Sequence, residues 1–500
     1  GDSGAGAGIK VSNYNGSNYN GRRSTFKMTN GVIAGNTAPS GAGVFAEDYV
    51  NASDAKKDNE STEGRPTVEM TGGIITGNYT RDSVDGLGGG ILASGGSVTV
   101  SGGYITNNKY AKYCRNDGWG CHGGAGLAAN YGAKVTISDG QITGNYSEEA
   151  GGGVYVTDVK RNDQTSRSGM AWLNITGGII ASNVSYRSEG AGIRVGQMVD
   201  AMINGTEDNK VYITNNHCMS RFDWGGGGIF VQGNSNANME KTAGRLFVYN
   251  SYISSNTAGG YGGGVAVCPT GKTLVTNTNG TAIFGNLSAG DEHDGDDHPS
   301  HPNEPNKKHA YDSATNTGND VSPHLSGGGA NKIEDRAAYK SDKFRECGHA
   351  DFFLAATGHT TPVAVVSGKM LGNIDAKYSG SIELTNRITI PANGAVGVKN
   401  SIGLTSDVKA TDQAVTDAVQ GKVEGTKVTT FITGNYSWDH GGGIMSNGDL
   451  YLGQPADAYA YPSLKLKATK ELDGRDLKDG EFTFSVYRKN SGTAKAPSWD

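Results

Sequence analysis

The stretch Lys134–Val156, KVTISDGQITGNYSEEAGGGVYV, sets a pattern that the rest of the chain repeats. Its runs VTIS, QIT and VYV alternate with a period of two, which is typical of short β-strands. Gly and Asn separate the runs, and both residue types favour turns. One repeat therefore predicts three short strands joined by tight corners.

Copies of this pattern recur roughly every 30 to 40 residues, a spacing that is typical of stacked repeats. The central motif Gly-x-Ile-x-x-Asn, with some substitutions, ends at Asn36, Asn78, Asn108, Asn145, Asn183, Asn216, Asn256, Asn286 and Asn435. A second motif, a Gly-rich triplet followed by an apolar strand, begins at Gly41, Gly88, Gly124, Gly151, Gly190, Gly226, Gly262 and Gly441. The period predicts an all-β parallel β-helix, or solenoid, over residues 1–455, with loop insertions at its corners.

Physical chemistry explains the recurring residue types. Equivalent strands of successive repeats would pair about 4.8 Å apart, so that one sequence position becomes a row in space. The motif Ile is expected to line the interior. The motif Asn is expected at a left-handed turn, where stacked amides form an internal ladder of hydrogen bonds. The Gly triplet suits a corner with positive φ or close backbone approach.

Composition narrows the functional classes. The 500 residues include 79 Gly and have a net charge of −6, which gives no electrostatic footprint for nucleic acid. No run of eighteen apolar residues is present, so no membrane-spanning segment is predicted. The chain opens without a signal peptide and is expected to be a piece of a longer protein.

Five cysteines are present, and two of them, Cys114 and Cys121, lie in one loop, CRNDGWGC. They either close a small disulfide ring or remain two thiols. The odd count leaves at least one free thiol, and the lack of CxxC pairs argues against zinc. The long insertion 287–326 is rich in Asp and His but matches no metal-binding pattern, so we expect a solvated loop, no metal and no cofactor.

The periodicity weakens over residues 330–425. Short amphipathic helices are predicted over 331–348 and 406–421, with alternating strands between them that continue the stack irregularly. One regular repeat then returns at 428–453.

The ITGN and GGGI motifs, together with the segment ITIPANGAVGVKNSIGLTS, carry a family resemblance. They resemble the right-handed parallel β-helix repeats of large Gram-positive surface proteins and, more distantly, the polymorphic outer-membrane proteins. The resemblance covers nearly all of residues 31–453. It implies a right-handed β-helix and an extracellular location, at the cell surface or anchored to the cell wall.

The segment SLKLKATKELDGRDLKDGEFTFSVYRKN, residues 463–490, is similar to the first two strands of pilin-type immunoglobulin-like domains. In that family the lysine before the Leu-x-Gly-Arg turn forms an isopeptide cross-link with a later asparagine, and the matching residue is Lys470. Residues 463–500 are therefore expected to be the start of a truncated β-sandwich. The other interpretation of Lys470 is an ordinary exposed strand lysine.

These features favour a surface adhesin or ligand-binding stalk whose partner is a host or bacterial surface glycan or protein. No nucleophile elbow, HExxH motif or phosphate loop is present. An aromatic strip is predicted just before the Gly triplets, where rings would bind carbohydrate or apolar side chains. Its residues are Trp119, Trp224, Trp438, Tyr186 and Tyr261. The alternative is that each ring covers its own corner.

The competing class is a polysaccharide-degrading enzyme, either a glycoside hydrolase or a lyase. Glu149, Glu189 and Asp223 precede successive Gly triplets, and the repeat spacing would place them roughly 5 or 10 Å apart, which suits paired catalytic carboxylates. The other interpretation is a solvated edge. A third hypothesis, ice binding by Thr76, Thr106, Thr143 and Thr214, is disfavoured because Ala181 and Ser254 interrupt the row.

Overall fold

The chain divides into two units, Gly1–Ala456 and Asp457–Asp500, and the computed structural model describes residues of the first. It describes residues 6–13, 24–48, 65–81, 86–111, 123–158, 171–220, 225–233, 243–259, 261–267, 273–276, 281–288, 350–354, 366–367, 378–382, 386–390, 402–409, 411–423, 428–438 and 440–453. The second unit, Asp457–Asp500, lies outside these residues, as do Lys470, the predicted helix over 331–348 and nearly all of the insertion 287–326.

The described chain is mostly β-strand, and equivalent strands of different repeats pair in parallel. Within Lys134–Thr143, for example, Val135 aligns with Val98 of one neighbouring repeat and with Leu173 of the other. The predicted pairing of equivalent strands is thereby confirmed. The strands assemble into three curled sheets, and side chains of the two larger sheets form a shared apolar core.

Sheet 1 has two halves, because Ser97–Thr106 and Lys134–Thr143 run through both. Its first half contains, in order of pairing, Thr25–Met28, Thr67–Met70, Ser97–Thr106, Lys134–Thr143, Ala171–Ile175, Val199–Ile203, Arg245–Val248, Asp449–Leu452, Thr273–Thr276 and Val366–Ser367. These strands correspond to the predicted VTIS run.

The second half of sheet 1 holds the Gly-x-Ile-x-x-Asn motif. It contains, in order of pairing, Val32–Ala34, Ile74–Thr76, Ser97–Thr106, Lys134–Thr143, Gly178–Ala181, Val211–Thr214, Thr430–Thr433, Ser251–Ser254 and Ala282–Ile283. The motif Ile points inward, as predicted, and Ile142 is buried.

Sheet 2 follows the motif Asn and adds a fourth strand to each repeat, where the sequence predicted three. Its strands are Thr37–Ala38, Tyr79–Thr80, Lys109–Tyr110, Tyr146–Ser147, Val184–Ser185, His217–Cys218, Tyr436–Ser437, Thr257–Ala258 and Leu287–Ser288. Each has only two residues, too few for a period of two to be visible in the sequence.

Sheet 3 holds the strands that follow the Gly triplets. Its parallel part contains Ile9–Ser12, Val44–Glu47, Ile91–Ser94, Leu127–Asn130, Val154–Val156, Ile193–Val195, Ile229–Val231, Ile444–Ser446, Val265–Val267 and Phe352–Leu354. Three antiparallel strands then extend it: Ile402–Ser406, Tyr378–Ile382 and Asn386–Ile390. The alternating strands predicted in the irregular region therefore join this sheet, in antiparallel orientation.

The predicted helix over 406–421 is present as Gln413–Val419, with Val415 and Ala418 buried against the core. It is the one helix among the residues that the structure describes. With seven residues it is far shorter than the bilayer is thick, and no described helix qualifies as a membrane span.

The predicted asparagine ladder is confirmed. Asn145 Nδ2 donates to Asn183 Oδ1 at 3.0 Å, and Asn108 Nδ2 donates to Asn145 Oδ1 at 3.1 Å. The same link joins Asn36, Asn78, Asn108, Asn145, Asn183, Asn216, Asn435, Asn256 and Asn286, and the last of them donates to Asp351. Most of these side chains are buried, so their amide groups need hydrogen-bond partners inside the protein, and the ladder supplies them.

The expectation that the motif Asn adopts the left-handed conformation is wrong. The preceding residue takes the positive φ instead, with 66° at Gly144 and 55° at Ser182. The turn is thus made by the preceding residue, and the side-chain amide of the motif Asn donates to the next Asn of the ladder. The Gly triplet behaves as predicted: Gly151 has φ of 60°, and a Cβ on Gly153 would lie 2.5 Å from the Gly192 carbonyl oxygen.

The regular repeat at residues 428–453 does not stack in the order of the sequence. Its strand Thr430–Thr433 pairs with Val211–Thr214 on one side and with Ser251–Ser254 on the other. The repeat is therefore inserted between two repeats that follow each other in the chain. We call residues 428–453 the inserted repeat.

Candidate ligand-binding face

The outer face of the second half of sheet 1 carries a row of large apolar side chains. Each comes from the variable position just before the buried motif Ile, so the pleat turns it outward. We call this set the apolar row, and it consists of Val32, Ile74, Tyr104, Gln141, Ile179, Tyr212, Phe431 and Tyr252. Gln141 is its one polar member.

Several members of the apolar row are exposed to solvent. The exposed fraction is 65% for Val32, 47% for Tyr104, 37% for Tyr212 and 36% for Ile74. Val32, Ile74 and Tyr104 are also consecutive in the row. Large apolar side chains that adjoin one another on a surface mark binding faces more often than isolated ones do.

A second row runs beside the first, two residues further along each strand. It contains Thr76, Thr106, Thr143, Ala181, Thr214, Thr433 and Ser254. We call it the hydroxyl row. Neighbouring hydroxyls approach within 3.4 Å, both between Thr143 and Thr106 and between Thr433 and Thr214. The face thus offers threonine hydroxyls beside apolar groups, and Ala181 and the buried Ser254 interrupt the threonines as expected.

The aromatic members of the apolar row differ in whether neighbouring rings of the row cover their faces. Tyr212 and Phe431 stack with ring centres 5.0 Å apart and planes 13° from parallel, and Tyr252 lies 5.8 Å from Phe431. Rings that stack along the row cover each other's faces and turn their edges to solvent. Tyr104 instead has Ile74 and Gln141 as its row neighbours, so no ring of the row stacks on it.

Charge is sparse on this face, because the apolar row contains no Asp, Glu, Lys, Arg or His. Burial raises the pKa of Tyr252, with a hydrogen bond to Ser254 opposing the rise, so this phenol stays protonated. Lys210 places its ammonium 5.9 Å from the centre of the Phe431 ring. The face therefore suits partners with hydroxyl and apolar groups more than strongly charged ones.

Three of the five corner aromatics are buried, in contrast to the predicted exposed strip. Tyr186 and Trp438 are buried in a cluster outside sheet 2. The cluster consists of Tyr146, Val184, Tyr186, Met219, Tyr436 and Trp438. Tyr261 is also buried and stacks 4.4 Å from Phe353.

These three corner rings are therefore buried and pack against neighbouring side chains. The physical reason is that several outward residues of sheet 2 are themselves apolar, for example Tyr146 and Tyr436, and need covering. Trp119 and Trp224 lie outside the described residues.

Two of the three carboxylates considered for catalysis, Glu149 and Glu189, occupy buried positions. Glu189 Oε1 accepts hydrogen bonds from Arg194 Nη2 at 2.9 Å and from its Nε at 3.1 Å, and Ser188 also donates to this carboxylate. The Arg194 guanidinium lies 4.9 Å from the centre of the Tyr155 ring. Glu149 is buried as well, whereas Asp223 lies outside the described residues. The Glu189 carboxylate is therefore buried, and its charge is paired with Arg194.

Of the five cysteines, the described residues include Cys218 alone, which is a buried free thiol. Burial raises the pKa of Cys218 to about 12, so the thiolate needed for nucleophilic chemistry is scarce at neutral pH. Cys114 and Cys121 lie outside the described residues. Within the described part of the chain no group of three or more His, Cys, Asp and Glu side chains is placed to hold a metal ion.

The apolar row was not predicted as a site, although its signal is present in the sequence. The variable residue of the Gly-x-Ile-x-x-Asn motif is apolar in most copies, where an exposed position would more often be polar. The chain matches no protein-family model, no curated protein and no solved structure.

Proposed function

We propose that this protein is an extracellular surface adhesin that binds its ligand with the outer face of the second half of sheet 1. The observation that carries the proposal is the pairing of an exposed apolar row with a parallel hydroxyl row over successive repeats. Exposed aromatic side chains are enriched among residues that dominate binding energy, and hydroxyls supply directional hydrogen bonds beside them.

The proposed ligand is a glycan or a protein at a host or bacterial surface. Sugar C–H groups and apolar side chains pack against tyrosine rings, and sugar hydroxyls or peptide groups bond to threonine. Because equivalent positions recur about every 4.8 Å, an extended ligand would meet the same pair of groups several times. Repeated weak contacts of this kind add up to avidity without a deep pocket.

We also propose that the three sheets are the walls of a right-handed parallel β-helix. Parallel pairing of successive repeats, a buried asparagine ladder and glycines without space for a Cβ support this architecture. A crystal structure in which successive repeats rise in a left-handed sense would contradict the handedness.

Two tyrosines provide a matched test of the binding face. Tyr104, exposed by 47%, belongs to the apolar row, and Tyr79, exposed by 37%, lies in sheet 2. On a glycan and matrix-protein array, Tyr104→Ser is expected to weaken binding of whichever ligand the native chain selects by about tenfold. Tyr79→Ser should leave that affinity within about twofold, and both variants should melt close to the native chain.

Equal losses of affinity in the two tyrosine variants would show that the face is not the binding site. Release of shortened sugar products from the array would favour the polysaccharide-degrading enzyme instead. The buried position of Glu189 and Glu149 argues against that alternative.

For residues 463–500 we propose the start of a pilin-type domain, with Lys470 as the cross-linking lysine. In a longer chain that contains the complete domain, the Lys470 amine is expected to join an asparagine side chain and release one ammonia. Intact-mass spectrometry should show that loss in the longer chain, and Lys470→Ala should abolish it. An unchanged mass in both would refute the assignment.

A further inference from the structure

The inserted repeat is flanked by two repeats that match each other without it. Through Thr430–Thr433, Ile213 aligns with Ile432 and then with Ile253. In the asparagine ladder Asn216 is followed by Asn435 and then by Asn256. The two flanking edges therefore share one register, with Ile opposite Ile and Asn opposite Asn.

The same correspondence holds in the other sheets. In sheet 3, Ile229 and Val265 both align with Ile444. In the first half of sheet 1, Val248 and Val275 both align with Leu452. Removing the inserted repeat would thus leave two edges in matching register that could pair directly.

The inserted repeat also begins and ends at one corner. The backbone N–H groups of Thr429 and Thr430 both donate to the Asn250 carbonyl, at 3.0 and 3.2 Å. At its other end, Gly453 N–H donates to the Val248 carbonyl at 2.9 Å. The inserted repeat therefore enters and leaves the stack beside the same two-residue link, Tyr249–Asn250. It can move out of the stack sideways without the chain passing through a loop of itself.

From these observations we propose that residues 428–453 are a releasable repeat, and that the fold has a second state in which Val211–Thr214 pairs directly with Ser251–Ser254. In repeat proteins, the free energy of unfolding is close to the sum of the intrinsic stability of each repeat and the energies of the interfaces between neighbouring repeats. Release exchanges two interfaces for one and frees one repeat, while all repeats beyond the two flanking ones keep their neighbours. The second state is therefore folded and shorter by one repeat.

The two states differ on the apolar row. With the repeat inserted, Phe431 lies between Tyr212 and Tyr252 and its ring stacks on the Tyr212 ring. After release, Tyr212 and Tyr252 become direct neighbours and the ring of Phe431 leaves the face. A pull on the residues after Gly453 would act on the inserted repeat first, because they are joined to it directly.

Engineered disulfides distinguish the states in the full chain. Thr214 and Thr433 are direct neighbours with hydroxyls 3.4 Å apart, so T214C/T433C should cross-link within one chain on mild oxidation. Thr214 and Ser254 are separated by the inserted strand, about 10 Å at two strand spacings, which exceeds disulfide reach. T214C/S254C should therefore cross-link only from the released state. Peptide mass mapping identifies each bond despite the native cysteines.

Weakening the inserted repeat should shift the population. Adding Ile432→Asp to T214C/S254C is expected to speed cross-linking at least about tenfold, because the charge is tolerated only after release. Strands Ser97–Thr106 and Lys134–Thr143 should keep their protection from hydrogen exchange. The matched control, Thr433→Ser in the same background, leaves the repeat in place and should leave the rate unchanged.

Three results would overturn the proposal. The first is absence of the T214C/T433C bond, or its formation between two chains, which would indicate exchange of the repeat between copies. The second is an unchanged rate of T214C/S254C cross-linking in the Ile432→Asp variant. The third is loss of exchange protection throughout the chain in that variant, because release would then be unfolding.

Discussion

Replacing Ile142 with Asp is expected to lower the free energy of unfolding by about 4 kcal/mol or more. Ile142 is buried between Ile105 and Ile180 of the neighbouring strands, so a carboxylate there has no partner and displaces aliphatic contacts on both sides. Chemical denaturation followed by circular dichroism measures the loss. The adjacent repeats should lose hydrogen-exchange protection along with residue 142.

The neighbouring residue supplies the control for this substitution. Gln141 lies on the same strand but faces outward, so Gln141→Asp should change the free energy of unfolding by no more than about 0.5 kcal/mol. A native melting curve for Ile142→Asp would place this side chain outside the core and would contradict the proposed architecture.

Replacing Asn145 with Ala is expected to cost about 3 kcal/mol, because three neighbours lose a partner at once. Asn145 Oδ1 accepts from both the backbone and side-chain nitrogens of Asn108, at 3.0 and 3.1 Å. Its Nδ2 donates to the Ile105 carbonyl at 2.9 Å and to Asn183. Buried groups left without partners each carry a desolvation penalty of roughly 1 to 3 kcal/mol.

Asn36, at the end of the ladder, is the matched control for Asn145. It donates to Asn78 but receives no ladder bond from a preceding Asn among the described residues, and it is only half-buried. Asn36→Ala should therefore cost about 1 kcal/mol, as measured by urea denaturation. Equal costs at the two positions would mean that the bonds along the ladder contribute little to stability.

Features that recur in every repeat were predictable from the sequence. The inward Ile, the asparagine ladder and the close approach at Gly153 each follow from one residue type at a fixed position. The strands of sheet 2 were missed because two residues, such as Tyr146–Ser147, carry no period. The covering role of Trp438 depends on which outward side chains are themselves apolar, and that requires the three-dimensional arrangement.

The position of the inserted repeat could not be predicted for a different reason. Sequence similarity shows that residues 428–453 form a repeat, but all repeats offer nearly the same edges. Nothing in Thr430–Thr433 distinguishes Val211–Thr214 from other strands as its neighbour. The order of repeats in the sequence would then predict the order of stacking, but Thr430–Thr433 pairs with the much earlier strand Val211–Thr214.

The inserted repeat has a consequence for the order in which the protein folds during synthesis. Along the asparagine ladder, partners that are consecutive repeats in the chain are 30 to 42 residues apart, whereas Asn216 and Asn435 are separated by 219 residues. Contacts between distant residues form slowly, and a ribosome makes roughly 5 to 20 residues per second. Strands 211–214 and 251–254 therefore emerge well before their shared partner exists, and the chain must hold or reopen a place for the segment that arrives last.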